Sequence, residues 1–245
     1  MRTAIILTGN LRTWEQCKSS FIEMFDDSYD VFITTYDKVY NYPPFIKEWS
    51  SYEDDVIVDC HDVHNMFDGI NVKKVIVEND EYVKIICQEE EKKFNQEANW
   101  QGSTHEVRQY YPQFRKIKSA FESIKKYEEE NGFNYDRIIK TRFDVLYNKQ
   151  ELDIETKQVL VDEGNLFPND WFFLAERDIF ENIINDIVSE FYEAKFMQEG
   201  GLPVAPPHGL LLNAIKRSGA DHIARFRILR CVLRKTPEGV KEHYY

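Results

Sequence analysis

Apolar residues recur along this chain with two different periods, and the alternation between those periods lays out the fold. Residues 3–8 (TAIILT) form a short continuous apolar run closed by Gly9-Asn10, the pattern of a strand buried on both faces of a parallel sheet. Over residues 13–25 the apolar side chains fall at Trp14, Cys17, Phe21, Met24 and Phe25. That is close to helical spacing, with Thr13 placed as the N-cap. Residues 29–36 (YDVFITTY) are rich in β-branched and aromatic types and predict a second strand. The opening therefore predicts a βαβ unit with a right-handed crossover.

The same patterns continue downstream. Residues 55–59 and 73–78 predict short strands, with helix or loop between them, and 80–102 predicts a polar helix running into a loop. Over 105–130 Tyr111, Phe114, Ile117, Ala120, Phe121, Ile124 and Tyr127 share one helical face, and Asn131-Gly132 supplies the stop. Residues 135–147 read as strand, short polar motif and strand. Strands are expected at 158–161 and 171–174, a helix at 177–196, and a Gly- and Pro-rich loop at 200–209. A helix to about Arg217 and one last strand over 224–233 complete the pattern. Strands alternating with helices predict an α/β fold with a mostly parallel central sheet flanked by helices. No repeat or long linker divides the chain, so one domain over 1–245 is expected, its N-terminal half running to about 147 and its C-terminal half over 148–245.

Composition narrows what such a domain does. A net charge of −12 argues against a nucleic-acid binder, which would carry a basic face. Any anionic ligand therefore needs local Arg or Lys, backbone N–H groups or a divalent cation. The four cysteines are scattered without a CxxC pair, as expected of reduced thiols. The apolar run at the start is too short for a secretory leader, and no stretch is long enough to span a bilayer. The expectation is a cytoplasmic protein without a transmembrane segment, with at most peripheral membrane contact.

Candidate chemistry concentrates where strands end. In YDRIIKTRFDVLY a predicted buried strand runs into Arg142-Phe143-Asp144, and open α/β sheets bind ligands beyond the carboxyl ends of their strands. Arg142 and Asp144, two apart in an extended segment, are expected on the same side. Asp144 suits a divalent cation between two phosphates, and Arg142 suits a phosphate directly. The alternative is an ion pair at a strand end. Lys140 and Arg137 read as a charged edge. Gly9 lets a backbone approach a ligand closely, and the helix start that follows favours an anion. His61 and His64 sit among Asp59, Asp62 and Asp68, without a partner cluster, and read as a polar loop.

The segments IILTGNLRTWEQCKSSF, DVFITTYD and YDRIIKTRFDVLY resemble a group of small bacterial and viral GT-A-type glycosyltransferases with Arg-x-Asp in place of Asp-x-Asp. The resemblance covers the first forty residues and 133–147 well, and the C-terminal third loosely. It implies a Rossmann-like GT-A fold and transfer of a sugar from a nucleotide-diphosphate donor, such as a UDP or GDP sugar, to a glycan or glycoconjugate hydroxyl. It implies donor binding by Thr8, Gly9, Asn10, Arg12, Thr35, Tyr36, Asp37, Arg142 and Asp144. Arg142 would also be catalytic, Asp170 would be the general base, and Mn²⁺ or Mg²⁺ would be held by Asp144 and His208. The position of Arg142 removes the first acid of Asp-x-Asp, and with it one cation ligand. Three other readings stand beside this one. They are a sugar nucleotidyltransferase, whose Gly-rich Arg/Lys loop TGNLRTW lacks, a non-catalytic sugar- or nucleotide-sugar-binding protein, and a structural α/β protein that binds no nucleotide.

Overall fold

The computed structural model describes residues 1–39, 56–97, 105–162, 171–193, 208–236 and 239–243. In chain order the elements are β1 (Thr3–Thr8), α1 (Trp14–Met24), β2 (Asp30–Tyr36), β3 (Lys38–Val39), β4 (Val56–Ile57), α2 (Cys60–Met66), β5 (Val72–Glu78), α3 (Asp80–Glu97) and α4 (His105–Asn131). They continue as β6 (Arg137–Arg142), β7 (Val145–Tyr147), β8 (Gln158–Asp162), β9 (Phe173–Glu176), α5 (Arg177–Glu193), α6 (His208–Arg217), β10 (His222–Phe226), β11 (Leu229–Thr236) and β12 (Gly239–His243).

The expected α/β class is the observed one. A seven-stranded sheet in the order β10-β8-β9-β6-β1-β2-β5 is parallel throughout except at β9, which runs antiparallel to both β6 and β8. Period-two alternation in β1 sends Ala4 and Ile6 to one face and Ile5 and Leu7 to the other. On the first face pack Phe114, Ile117 and Phe121 of α4, Phe180 and Ile183 of α5, and Leu211 of α6. On the second pack Trp14, Cys17 and Phe21 of α1, with Val63 of α2 and Phe67 just beyond it.

This division locates the ligand-binding crevice. The crossovers β1–α1–β2 and β2–α2–β5 carry the chain outward with their helices on one face. The return to β6, on the far side of β1, puts α4 on the opposite face. Right-handed crossovers require that switch of face when the direction of winding reverses. β1 and β6 stay paired to their last residues, Thr8 and Arg142, and the loops beyond these strand ends are where open α/β sheets hold their ligands.

Several expectations change. The single strand expected over 224–233 is two strands in different sheets. β10 lies at the edge of the main sheet, whereas β11 joins β12 and β7 in a three-stranded antiparallel sheet. The cause is the buried Asp162, whose Oδ1 accepts the backbone N–H of Ile228 at 2.9 Å and of Leu229 at 2.8 Å, bending the chain between them. Lys140 is no charged edge: it points into the sheet's interior face and is 0% exposed. The loop expected around His61 is the short helix α2, because Asp59 and Asp62 form a capping box that satisfies its first N–H groups. The stop after α4 is as expected, with Gly132 at φ 69° and its N–H donating to Glu128 O.

Candidate functional site

The β1–α1 loop begins at Gly9, whose φ of 133° lies in a region that side chains other than hydrogen rarely allow. Asn10 then closes the loop on itself. Its Oδ1 accepts the Arg12 backbone N–H at 3.1 Å, and its Nδ2 donates to Lys38 O at 3.1 Å. The Thr35 hydroxyl donates to Gly9 O at 3.1 Å. One bond thus closes the loop and two tie it to Thr35 of β2 and Lys38 of β3, holding the Arg12 backbone in place.

On the other wall, β6 ends at Arg142 and turns through Phe143 and Asp144 into β7. Phe143 is the plug of that turn. It is buried and stands edge-on to Trp14 and Phe67, which stack on each other at 4.2 Å, each such aromatic pair contributing about 0.5–1.5 kcal/mol beyond its area. The Trp14 indole N–H donates to Met66 O, so the start of α1 and the end of α2 lock together behind the turn. Tyr147 braces it from β7, its hydroxyl 2.7 Å from Thr141 Oγ1 and within reach of Arg142 O. Burial raises the Tyr147 pKa, so this hydroxyl stays neutral.

Between the two walls stands Asp144, with a side chain only 4% exposed. Arg142 grips it side-on, Nε donating to Oδ1 at 2.8 Å and Nη2 to Oδ2 at 2.6 Å, while Arg12 Nη2 donates to Oδ2 at 3.0 Å. The Arg142 guanidinium also lies 5.8 Å from the centre of the Trp171 ring, within cation–π range. Arg142 and Asp144 do share a side, as expected from the sequence. They do so through a turn that lets them pair, rather than through an extended strand.

Among the described residues, two guanidinium groups stand against one carboxylate, a locally positive arrangement in an acidic protein. The chemistry of that donor set bears on the expected cation. A hard divalent ion takes carboxylate lone pairs, yet both Asp144 oxygens already accept guanidinium N–H groups. Among the described residues no three His, Cys, Asp or Glu side chains converge as a cation cage. The residues present do not fit a divalent ion at Asp144. His208 begins α6, but its side chain lies outside the described residues, as does the whole of Asp170.

The other expected residues divide by what they touch. Thr8 ends β1 directly opposite Arg142 in the β1–β6 register. Thr35 is buried and serves the loop. Tyr36 is half-buried, with Lys116 Nζ 2.9 Å from its ring centre, so one ring face is occupied by an ammonium group. Asp37 caps α3, its carboxylate accepting the Asp80 backbone N–H at 2.9 Å and the Asn79 amide at 2.7 Å. Thr8, Gly9, Asn10, Arg12, Thr35, Tyr36, Asp37, Arg142 and Asp144 thus gather at the carboxyl ends of three neighbouring strands, β6, β1 and β2.

Lys116 and Trp171 are the neighbours that the sequence did not single out for this crevice. The signal for Lys116 was a cation two residues from Phe114 and beside Ile117 on an amphipathic helix. Arg115, its neighbour, turns to Glu78 at 3.1 Å. Behind the site Cys17 is buried, and burial, with the Asp144 charge second, pushes its thiol up to about 12. That makes Cys17 an inert packing group at neutral pH.

No protein-family model matches this chain, and no curated protein matches it. Among solved structures, the chain is similar to the glycosyltransferase GlyE of Streptococcus pneumoniae TIGR4, with a TM-score of 0.39 and 11% identity. That likeness covers 92% of this chain and 45% of the other, so the chain spans less than half the length of the protein it matches.

Proposed function

We propose that this chain is a GT-A-type glycosyltransferase that moves a sugar from a nucleoside-diphosphate donor to a hydroxyl of a glycan or glycoconjugate. The observation that carries the reading is the locally positive Arg12–Asp144–Arg142 centre beside the Gly9 loop, at the switch point between β1 and β6. In a chain of net charge −12, an arginine pair aimed into a crevice serves an anion, and planar guanidinium groups match phosphate oxygens. The sequence resemblance of the same segments to Arg-x-Asp glycosyltransferases supports the same class of donor.

In this reading the acceptor oxygen attacks the anomeric carbon. The bond from that carbon to the β-phosphate oxygen breaks, and the acceptor proton passes to a carboxylate, for which Asp170 is the candidate. Negative charge grows on the departing diphosphate, and fixed cations placed there before reaction stabilise the transition state most. Arg142 would act at that point. Tyr36, with Lys116 behind it, would present its other ring face to the base. The test is a thermal-shift screen of UDP, GDP, CDP, dTDP and their sugars, followed by assay of nucleoside-diphosphate release on glycan acceptors. A ligand at a hundredfold its dissociation constant should add about 2.7 kcal/mol of stability. No shift with any nucleotide would remove the proposal.

A further inference from the structure

We infer that the centre holds its diphosphate ligand without a divalent cation, and that Asp144 is a positioning residue which orders the two arginines taking the cation's place. This rests on the nucleotide-sugar reading above and departs from the cation expected from Asp-x-Asp. The first observation is the saturation of the carboxylate. Oδ1 accepts Arg142 Nε, and Oδ2 accepts both Arg142 Nη2 and Arg12 Nη2, at 2.6–3.0 Å. A cation at Asp144 would have to break those bonds and then stand against two guanidinium charges in a buried place, where charges act strongly.

The second observation is where the arginines come from. Arg12 reaches in from the tied β1–α1 loop and Arg142 from the last residue of β6. The two cations therefore come from the ends of adjacent strands and meet on one carboxylate oxygen, Asp144 Oδ2. Asp144 holds them together against their mutual repulsion, and its side-on grip fixes the plane of the Arg142 fork. Arg142 donates two N–H groups to Asp144 and Arg12 donates one. The third observation is Lys116, 2% exposed and lying against Tyr36 at the end of the neighbouring strand β2. It places a third basic side chain beneath the Tyr36 ring, beside β2.

The experiment is calorimetric titration of chelator-treated protein with inorganic diphosphate and with the diphosphates of uridine, guanosine, cytidine and thymidine, in EDTA and in excess MnCl₂. Binding in EDTA within about threefold of the affinity in Mn²⁺ is the expected result, and a gain of about tenfold or more with Mn²⁺ overturns the inference while leaving the proposed function standing. Absence of binding under either condition overturns both. Arg142→Lys keeps the charge and loses the fork, and should weaken binding in EDTA about tenfold. Asp144→Asn should weaken it as well, and the double variant should be no weaker than the worse single one, since both changes remove one arrangement. Additive losses, or unchanged affinity in Arg142→Lys, would show that Asp144 does not act through the arginine. Should Asp144→Asn not fold, the EDTA–Mn²⁺ comparison on wild type and Arg142→Lys still decides.

Discussion

Replacing Asp144 with Ala would remove the carboxylate that Arg12 and Arg142 share. The carboxylate is 4% exposed, and the arginine side chains 8% and 17%, so water cannot take its place. Each arginine–carboxylate attraction is about 4 kcal/mol at 4 Å in a medium of effective dielectric near 20. Most of it is offset by the cost of burying the charges. What remains visible on removing one partner of such a pair is about 3–5 kcal/mol. For a chain of this size that corresponds to a fall in melting temperature of roughly 10 °C.

Urea unfolding followed by far-ultraviolet circular dichroism, with calorimetry as a second probe, measures the loss. Asp144→Asn should lose less than Asp144→Ala, because one amide oxygen still accepts from Arg142. Replacing Asp144, Arg12 and Arg142 together by apolar residues of similar volume should recover most of the loss, since no charge is then stranded. A loss in Asp144→Ala below about 1 kcal/mol, the size of an exposed pair, would refute the clamp.

Two further predictions concern groups outside the crevice. Glu128 is buried and accepts the Tyr135 backbone N–H at 2.9 Å and a fork from Arg177 at 3.0–3.2 Å. Glu128→Gln should cost about 2–4 kcal/mol in urea unfolding while leaving diphosphate affinity unchanged, and a change in affinity would contradict its placement. At alkaline pH the buried thiol of Cys17, raised from 9.0 to about 12, keeps its proton in the fold after the unfolded chain has lost it. Stability is therefore full below about pH 9 and falls as pH rises towards 12, by roughly 1 kcal/mol per pH unit for this group. Tyr135 and Tyr147, also raised by burial, add to the fall at higher pH. Cys17→Ala should flatten the slope of urea stability against pH between about 9 and 10, and an unchanged slope would count against the assignment.

Much of the fold could be read directly because it is local. The apolar run of β1, the helical spacing of Trp14, Cys17 and Phe21, and the stop at Gly132 are each set by a few neighbouring residues. So is the proximity of Arg142 to Asp144, two positions apart. What escaped has a long-range cause. The final strand divides because Asp162 reaches Ile228 and Leu229 across more than sixty positions, and no periodicity within 224–233 records that contact. Lys140 looked like an edge residue because its charge argues for exposure. Its neighbours in space, Ile6 on β1 and Phe173 on β9, put it in the middle of the sheet.

The sequence by itself determined the class of fold, the order of its elements and the short motifs at the ends of β1, β2 and β6, because period and turn chemistry are properties of consecutive residues. Only the tertiary structure decided that β6 returns beside β1, which puts helices on opposite faces of the sheet and brings the loops after those two strands together. It alone brought Arg12 onto Asp144 across 132 positions, turning an apparent cation ligand into the counter-charge of two arginines. Strand order and such pairings are chosen by the burial of whole faces against one another, an energy spread over the entire chain that no single segment carries.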